Sequence, residues 1–332
     1  MRNLFLDYFR GLAIIIVMIG HAIQINLSNN ETSFVWNVIL SFQMPLLFLI
    51  SGYTAGLSYP TTGTKKAIIN KVKKILLPYT IFAVFHYLVI SIVTNNFNYI
   101  DLLTSLFESD FWFLRVLFIC FLIIYITNFL QKRAVNNCNC IIQALFLLLS
   151  FLIIYFINIL FNFRIIEPYY YLWFLVGLII HLLLKGLSLK NKLIINLTRI
   201  INKFRLMIGL ISIFSLYFLS IYSQTNTTYL STFSLCVIIG IVSFYFYKML
   251  PDKIKDFFYF HGTNSLYYYA LHWCFLFSPC FHLGFNFFIF DVKRPFNFLV
   301  TLLIWDIVCS LFINLKIIIK NCLKIKRIEK SL

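Results

Sequence analysis

The sequence predicts an all-α integral membrane protein of about ten transmembrane helices, with both termini in the cytoplasm. Three observations carry that expectation. The chain is 61% hydrophobic and only 12% charged, with a mean hydropathy of +0.89, whereas soluble domains run near 45–50% apolar and about 25% charged. Its apolar residues gather into runs that approach the roughly 20 residues a helix needs to cross ~30 Å of hydrocarbon. Its basic residues are concentrated in alternate loops, the orientation signal of a polytopic protein.

The elements follow in order. The first two runs, about 6–26 and 34–57, are separated by a short polar stretch containing Glu31. Five lysines in 60–74 precede the third span, 75–94, and the acids Asp101, Glu108 and Asp110 precede the fourth, 111–130. Two basic residues in 131–140 lead to the fifth span, 141–161, and Arg164 and Glu167 to the sixth, 169–184. Six basic residues in 185–205 precede the seventh, 206–222, and a polar turn joins it to the eighth, 229–247. Three more in 248–263 precede the ninth, 264–283. The apolar stretch 284–290 is too short to span and lies in the interface or re-enters. After Asp291, Lys293 and Arg294 comes the tenth span, 296–316, and then a tail that, counted from Lys316, holds six basic residues. Together with Arg2 and Arg10, the expected cytoplasmic segments hold 24 of the 28 Lys and Arg. A missed or extra helix would scramble this alternation. Continuous apolar runs also lack the two-residue alternation of a barrel strand, so helices are expected throughout.

Several other classes are excluded. A net charge of +17 invites a nucleic-acid reading, but such binders cluster their basic residues on one face with few apolar runs. Here the positive loops suit contact with anionic membrane lipid. Cys120, Cys236, Cys274 and Cys309 lie inside apolar runs and read as small hydrophobes. Cys138 and Cys140 lack the companion ligands of a zinc site, so no metal is expected. No internal repeat or long linker divides residues 1–332, which read as a single transmembrane domain. Asp7 and Arg10 before the first apolar run, with no small-residue cleavage pattern after it, predict a retained first helix.

Ionisable residues inside a membrane are expensive and mark function by default. Arg10 and His21 are eleven residues apart, about 20° beyond three full turns, so they share one face of the first helix ~16 Å apart. Asp7 lies one turn before Arg10 on that side. The bland alternatives are an arginine snorkelling to lipid phosphate and a histidine hydrogen-bonded in packing; for a lone histidine the packing role is the commoner. Further candidates are Arg115 beside Trp112, His86, His272 and Asp306. Asp306 lies ~15 Å into its helix and needs a partner, which a histidine or arginine of this group could supply. His181, His261 and His282 are assigned no role.

These residues fall in a familiar order. FRGLAIIIVMIGHA, with Arg10 and His21, resembles the first-helix signature of the membrane-bound acyltransferase-3 family. FQMPLLFLISGYTAG (42–56), FWFLRVLF (111–118), YLWFLVGLIIH (171–181) and GTNSLYYYALHW (262–273) agree in order and span. The compact chain looks most like the branch that includes fucose 4-O-acetylase-like proteins. Two departures stand out: Gln43 occupies the place of a histidine in the F-H-M-P of relatives, and Arg115 the place of a proline after W-F-L.

The resemblance implies a multi-pass bacterial enzyme of the inner (plasma) membrane. It would transfer acetyl or another short acyl group from cytoplasmic acetyl-CoA to a sugar hydroxyl. The acceptor would be an envelope polysaccharide, a glycolipid or another lipid-linked sugar. Arg10 and His21 match the family's essential pair. His21 is then the base that takes the hydroxyl proton, since imidazole changes protonation near neutral pH; an acetyl-histidine intermediate is the variant that sequence leaves open. Arg10 is placed to bind phosphates of CoA, and Arg115 is a second candidate on the donor. Asp7, Ser51, Trp112, His272 and Asp306 are supporting or acceptor-binding candidates. Trp36 and Trp112 could stack on a sugar, although interfacial aromatics are ordinarily membrane anchors, and Ser51-Gly52 suits close helix approach. The rival readings are a transporter or flippase of lipid-linked sugars, which predicts repeat symmetry and paired broken helices, and a non-catalytic partner in polysaccharide assembly.

Overall fold

A computed structural model describes residues 3–26, 34–58, 64–108, 111–134, 140–161, 167–188, 229–273 and 297–329. Every regular element among them is helical, as lipid demands when each backbone N–H and C=O must be satisfied within its own segment. In chain order they are α1 (Leu4–Asn26), α2 (Phe34–Ser58), α3 (Thr64–Lys71), a π-turn (Val72–Leu76), α4 (Leu77–Thr94), α5 (Tyr99–Glu108), α6 (Trp112–Ala134), α7 (Cys140–Phe161), α8 (Pro168–Ser188), α9 (Tyr229–Met249), α10 (Asp252–Thr263), α11 (Ser265–Leu271) and α12 (Asn297–Glu329).

Among the described residues, five stretches are long and apolar enough to cross a membrane: Leu4–Asn26, Phe34–Leu57, Lys65–Ile92, Trp112–Arg133 and Leu299–Ile319. Leu145–Leu160, Pro168–Leu184 and Leu235–Met249 are shorter apolar helices. Long and short helices alike expose large apolar side chains, such as Leu160 at 73% and Leu303 at 61%. Continuous apolar surface of this kind is stable only against lipid. The chain is a polytopic all-α membrane protein. The expected seventh span, the outer part of the ninth and the stretch 284–290 lie outside the described residues.

Three boundaries differ from expectation. The third membrane helix starts in the lysine-rich segment, because α3 runs through the π-turn into α4 without a break, and Pro78 is tolerated in the first turn of α4. Lys71 holds the segment by placing its ammonium 3.4 Å from the centre of the Phe121 ring. The short amphipathic α5 was not expected; it is tied back where the Tyr79 hydroxyl donates to the Leu106 carbonyl. α12 has 33 residues, well past the expected end at 316.

The helices form two compact units, divided inside α2 after Ile39 and again after Met249. In the first, α1 and α10 run side by side in the same direction, with Tyr8 against Phe258 and Gly11 against Gly262. A Cβ on Gly11 would fall on the Phe258 carbonyl, and one on Gly262 on the Asp7 carbonyl, so only glycine permits this crossing. A break at Asn264 joins α10 to α11. α12 returns antiparallel to α11, pairing Tyr268 with Ser310 and His272 with Trp305.

The second unit contains the rest of α2 and α3 to α9. Here α2 and α8 approach through Gly52, which faces the Phe174 backbone, and Gly177, which faces the Leu49 carbonyl. The close approach expected at Ser51-Gly52 is thus present. Thr232 bridges the Ser41 carbonyl and the Tyr169 hydroxyl, satisfying polar groups that lipid could not.

Candidate active site

Helix α1 sets out its polar residues along one face. Near its start Arg10 pairs with Asp7, guanidinium to carboxylate at 3.8 Å, as side chains three residues apart on a helix can. Asp7 is nearly buried, with 11% of its side chain exposed, while Arg10 keeps 26%. Eleven residues on, His21 Nδ1 lies 3.2 Å from Gln24 Oε1. An amide oxygen only accepts, so Nδ1 donates and the second ring nitrogen, Nε2, is left as a lone pair.

A second histidine stands beside the first. His272 follows α11, and its Nδ1 donates to the Tyr268 carbonyl one turn earlier at 2.7 Å. Its ring centre lies 5.4 Å from that of His21. Trp273 meets His21 edge-on at 5.0 Å, and Trp305 on α12 lies 6.0 Å from His272. The chain thus sets two imidazoles side by side among tryptophan rings. The sequence named both histidines but gave no sign that they meet.

A further polar cluster lies toward the Arg10 end of α1. His261 Nε2 is 2.5 Å from Asp306 Oδ1, and His261 Nδ1 donates to the Phe257 carbonyl at 2.8 Å. With Nδ1 committed as a donor, the imidazole and the carboxylate share one further proton. His261 is 1% exposed, stacks on Tyr268 at 4.3 Å, and adjoins Gly262 where that residue abuts the Asp7 backbone. The partner that Asp306 requires is therefore His261, which sequence reasoning had left without a role, and not His86, His272 or Arg115. Its signal was available: a histidine ahead of a membrane span, at the end of a segment read as a loop.

The remaining candidates belong to the second unit. Trp112 packs on Tyr170 with ring centres 4.7 Å apart, and Tyr170 stacks on Phe48. Arg115, one turn after Trp112, has its Nε buried without a hydrogen-bond partner among the described residues. Gln43, 3% exposed, has an unpartnered Oε1 among those residues. Ser51 accepts a bond from Thr54 Oγ1 through its carbonyl, and His86 lies edge-on to Phe111. Among the described residues, no group of three or more His, Cys, Asp or Glu is placed to hold a metal ion.

Nodulation protein NolL of Sinorhizobium fredii (strain NBRC 101917 / NGR234) is 31% identical over 81 residues, covering 23% of this chain and 22% of that protein. The likeness therefore spans about a fifth of the relative. No solved structure matches. The family profile described as "Acyltransferase domain" matches residues 3–315, almost the whole length, and the chain accordingly belongs to the acyltransferase-3 family of membrane acyltransferases.

Proposed function

We propose that the protein transfers an acetyl group from cytoplasmic acetyl-CoA to a sugar hydroxyl of an envelope polysaccharide or glycolipid. It would do so as a single ten-span domain in the inner membrane of a bacterial cell. The observation that supports this reading is His21: its Nδ1 donates to Gln24, which makes Nε2 the basic nitrogen of the ring, on the helix face that also carries Arg10.

His21 Nε2 takes the acceptor proton as the hydroxyl oxygen attacks the thioester carbonyl, and returns it to the departing thiolate. The Trp273 and Trp305 walls keep water from competing for the acyl group. Arg10 keeps a quarter of its side chain exposed while Asp7 steadies it, which suits a guanidinium that must grip phosphate. The ~16 Å between Arg10 and His21 along the helix is about the reach of a pantetheine arm. Acyl-CoA held at Arg10 thus brings its thioester to His21. Arg115 remains a second candidate for the donor and Trp112 a candidate for the acceptor.

The test uses membranes containing the protein, labelled acetyl-CoA and an envelope-glycan extract. Label should reach glycan with the wild type and fall about 10²–10⁴-fold in His21→Ala, the worth of a general base. Arg10→Ala should raise KM for acetyl-CoA more than it lowers kcat. Equal labelling by His21→Ala would sink the assignment, and no transfer by the wild type would favour the flippase reading.

A further inference from the structure

His272 is completely buried, and the transfer as described leaves it idle. Its Nδ1 proton is committed to the Tyr268 carbonyl, so its Nε2 is a bare lone pair. That nitrogen has no hydrogen-bond partner among the described residues. A buried, unsatisfied acceptor is retained at a cost to stability, which points to a donor that arrives during function.

The groups around it narrow what that donor is. From α1 the neighbouring ring is His21, at 5.4 Å. Trp305 closes the α12 side, and Asp306, next to it in sequence, is engaged by His261. From its own segment come Tyr268, whose hydroxyl meets Ser310, and Tyr269, with its ring 6.0 Å away. His21 acquires a positive charge once it has taken the hydroxyl proton. An imidazolium packed against a fully buried ring is disfavoured unless a partner shares its charge. A second imidazole with a free lone pair is such a partner, through a charge-assisted hydrogen bond.

We propose that His272 is a second catalytic histidine, which holds, jointly with His21, the proton removed from the acceptor. This rests on the transfer reading above. The acceptor O–H bond breaks and its proton passes to His21 Nε2 while the oxygen bonds to the acyl carbon. The proton is then shared between the two Nε2 atoms. The C–S bond breaks, sulfur leaves with the electron pair, and the imidazole pair returns the proton to it. The neutral pair is restored and no other reactant is consumed.

The experiment measures initial rates across about pH 5.5–9 in membranes carrying the full chain, with labelled acetyl-CoA and envelope-glycan extract. Glutamine keeps an acceptor oxygen but cannot take a proton. His272→Gln should therefore lower kcat by about 10–100-fold, less than loss of a direct base. KM for acetyl-CoA should stay within about twofold, and the acid limb of the pH profile should move. Binding of labelled acetyl-CoA by His272→Gln and His272→Asn is measured in parallel. If both lose binding, His272 serves assembly of the site and the proposal is overturned. Wild-type kcat and pH profile in His272→Gln, or a change in KM alone, overturns it too while leaving the transfer reading in place. Absence of transfer by the wild type, or full activity in His21→Ala, overturns both.

Discussion

A carboxylate ~15 Å into a membrane helix has to be met by something, and Asp306 is met by His261. Removing one partner of a fully buried pair costs about 3–5 kcal/mol, whereas replacing both with apolar groups is often neutral. Asp306 keeps 24% of its side chain exposed, so His261→Ala should cost about 1–3 kcal/mol, below that range. The midpoint of thermal unfolding in detergent checks this. The double variant His261→Phe/Asp306→Leu should lie closer to the wild type than His261→Ala does. The need for a partner was legible from Asp306 alone. Its identity was not, because Lys253 and Lys255 make the segment before the ninth span read as a loop, whereas it forms α10 and packs along α1. The meeting of His21 with His272 was hidden for a related reason. Periodicity tells which residues share a face of one helix and says nothing of which helix stands opposite.

At the scale of elements, two glycine crossings hold the described helices close. Without an apolar driving force between helices in lipid, close packing has to do that work. Gly11→Ala and Gly262→Ala each put a methyl onto a backbone carbonyl, where nothing flexible can yield. Each should cost at least the ~1–3 kcal/mol of overpacking, seen as a lower yield of monodisperse protein in detergent. Gly52→Ala and Gly177→Ala should do the same in the second unit, for the same steric reason. The Ser51-Gly52 pair announced one side of its crossing in the sequence. Gly11 and Gly262 did not stand out, because nothing in a single helix marks which of its small residues meets a backbone. The basic segment before the third span was read as a loop on its lysines. It is helical because Lys71 finds an aromatic face on α6 and the one proline between Thr64 and Thr94, Pro78, falls in the first turn of α4, where it is tolerated.

For the whole molecule, fold class was legible because composition leaves no alternative: a chain this apolar has to be solvated by lipid. Topology is checked by reporters. A fluorescent protein fused after residue 332 should fluoresce in the cytoplasm, and single cysteines placed in 60–74 should react with a membrane-impermeant reagent only after the cells are opened. Labelling at 60–74 in intact cells would reverse the expected orientation. The candidate site was less legible than the fold. Its residues come from opposite ends of the sequence, and α1 meets α11 only through the tertiary packing of the first unit. The length of α12 has a further consequence. Thirty-three residues of unbroken helix reach about 50 Å, against ~30 Å of hydrocarbon. The surplus, which includes Lys320, Lys324, Lys326 and Arg327, is a stiff post rising up to ~20 Å beyond the hydrocarbon, depending on tilt. Whatever attaches to its tip is carried at a set height instead of drifting on a tether, so α12 can act as a spacer as well as a membrane span.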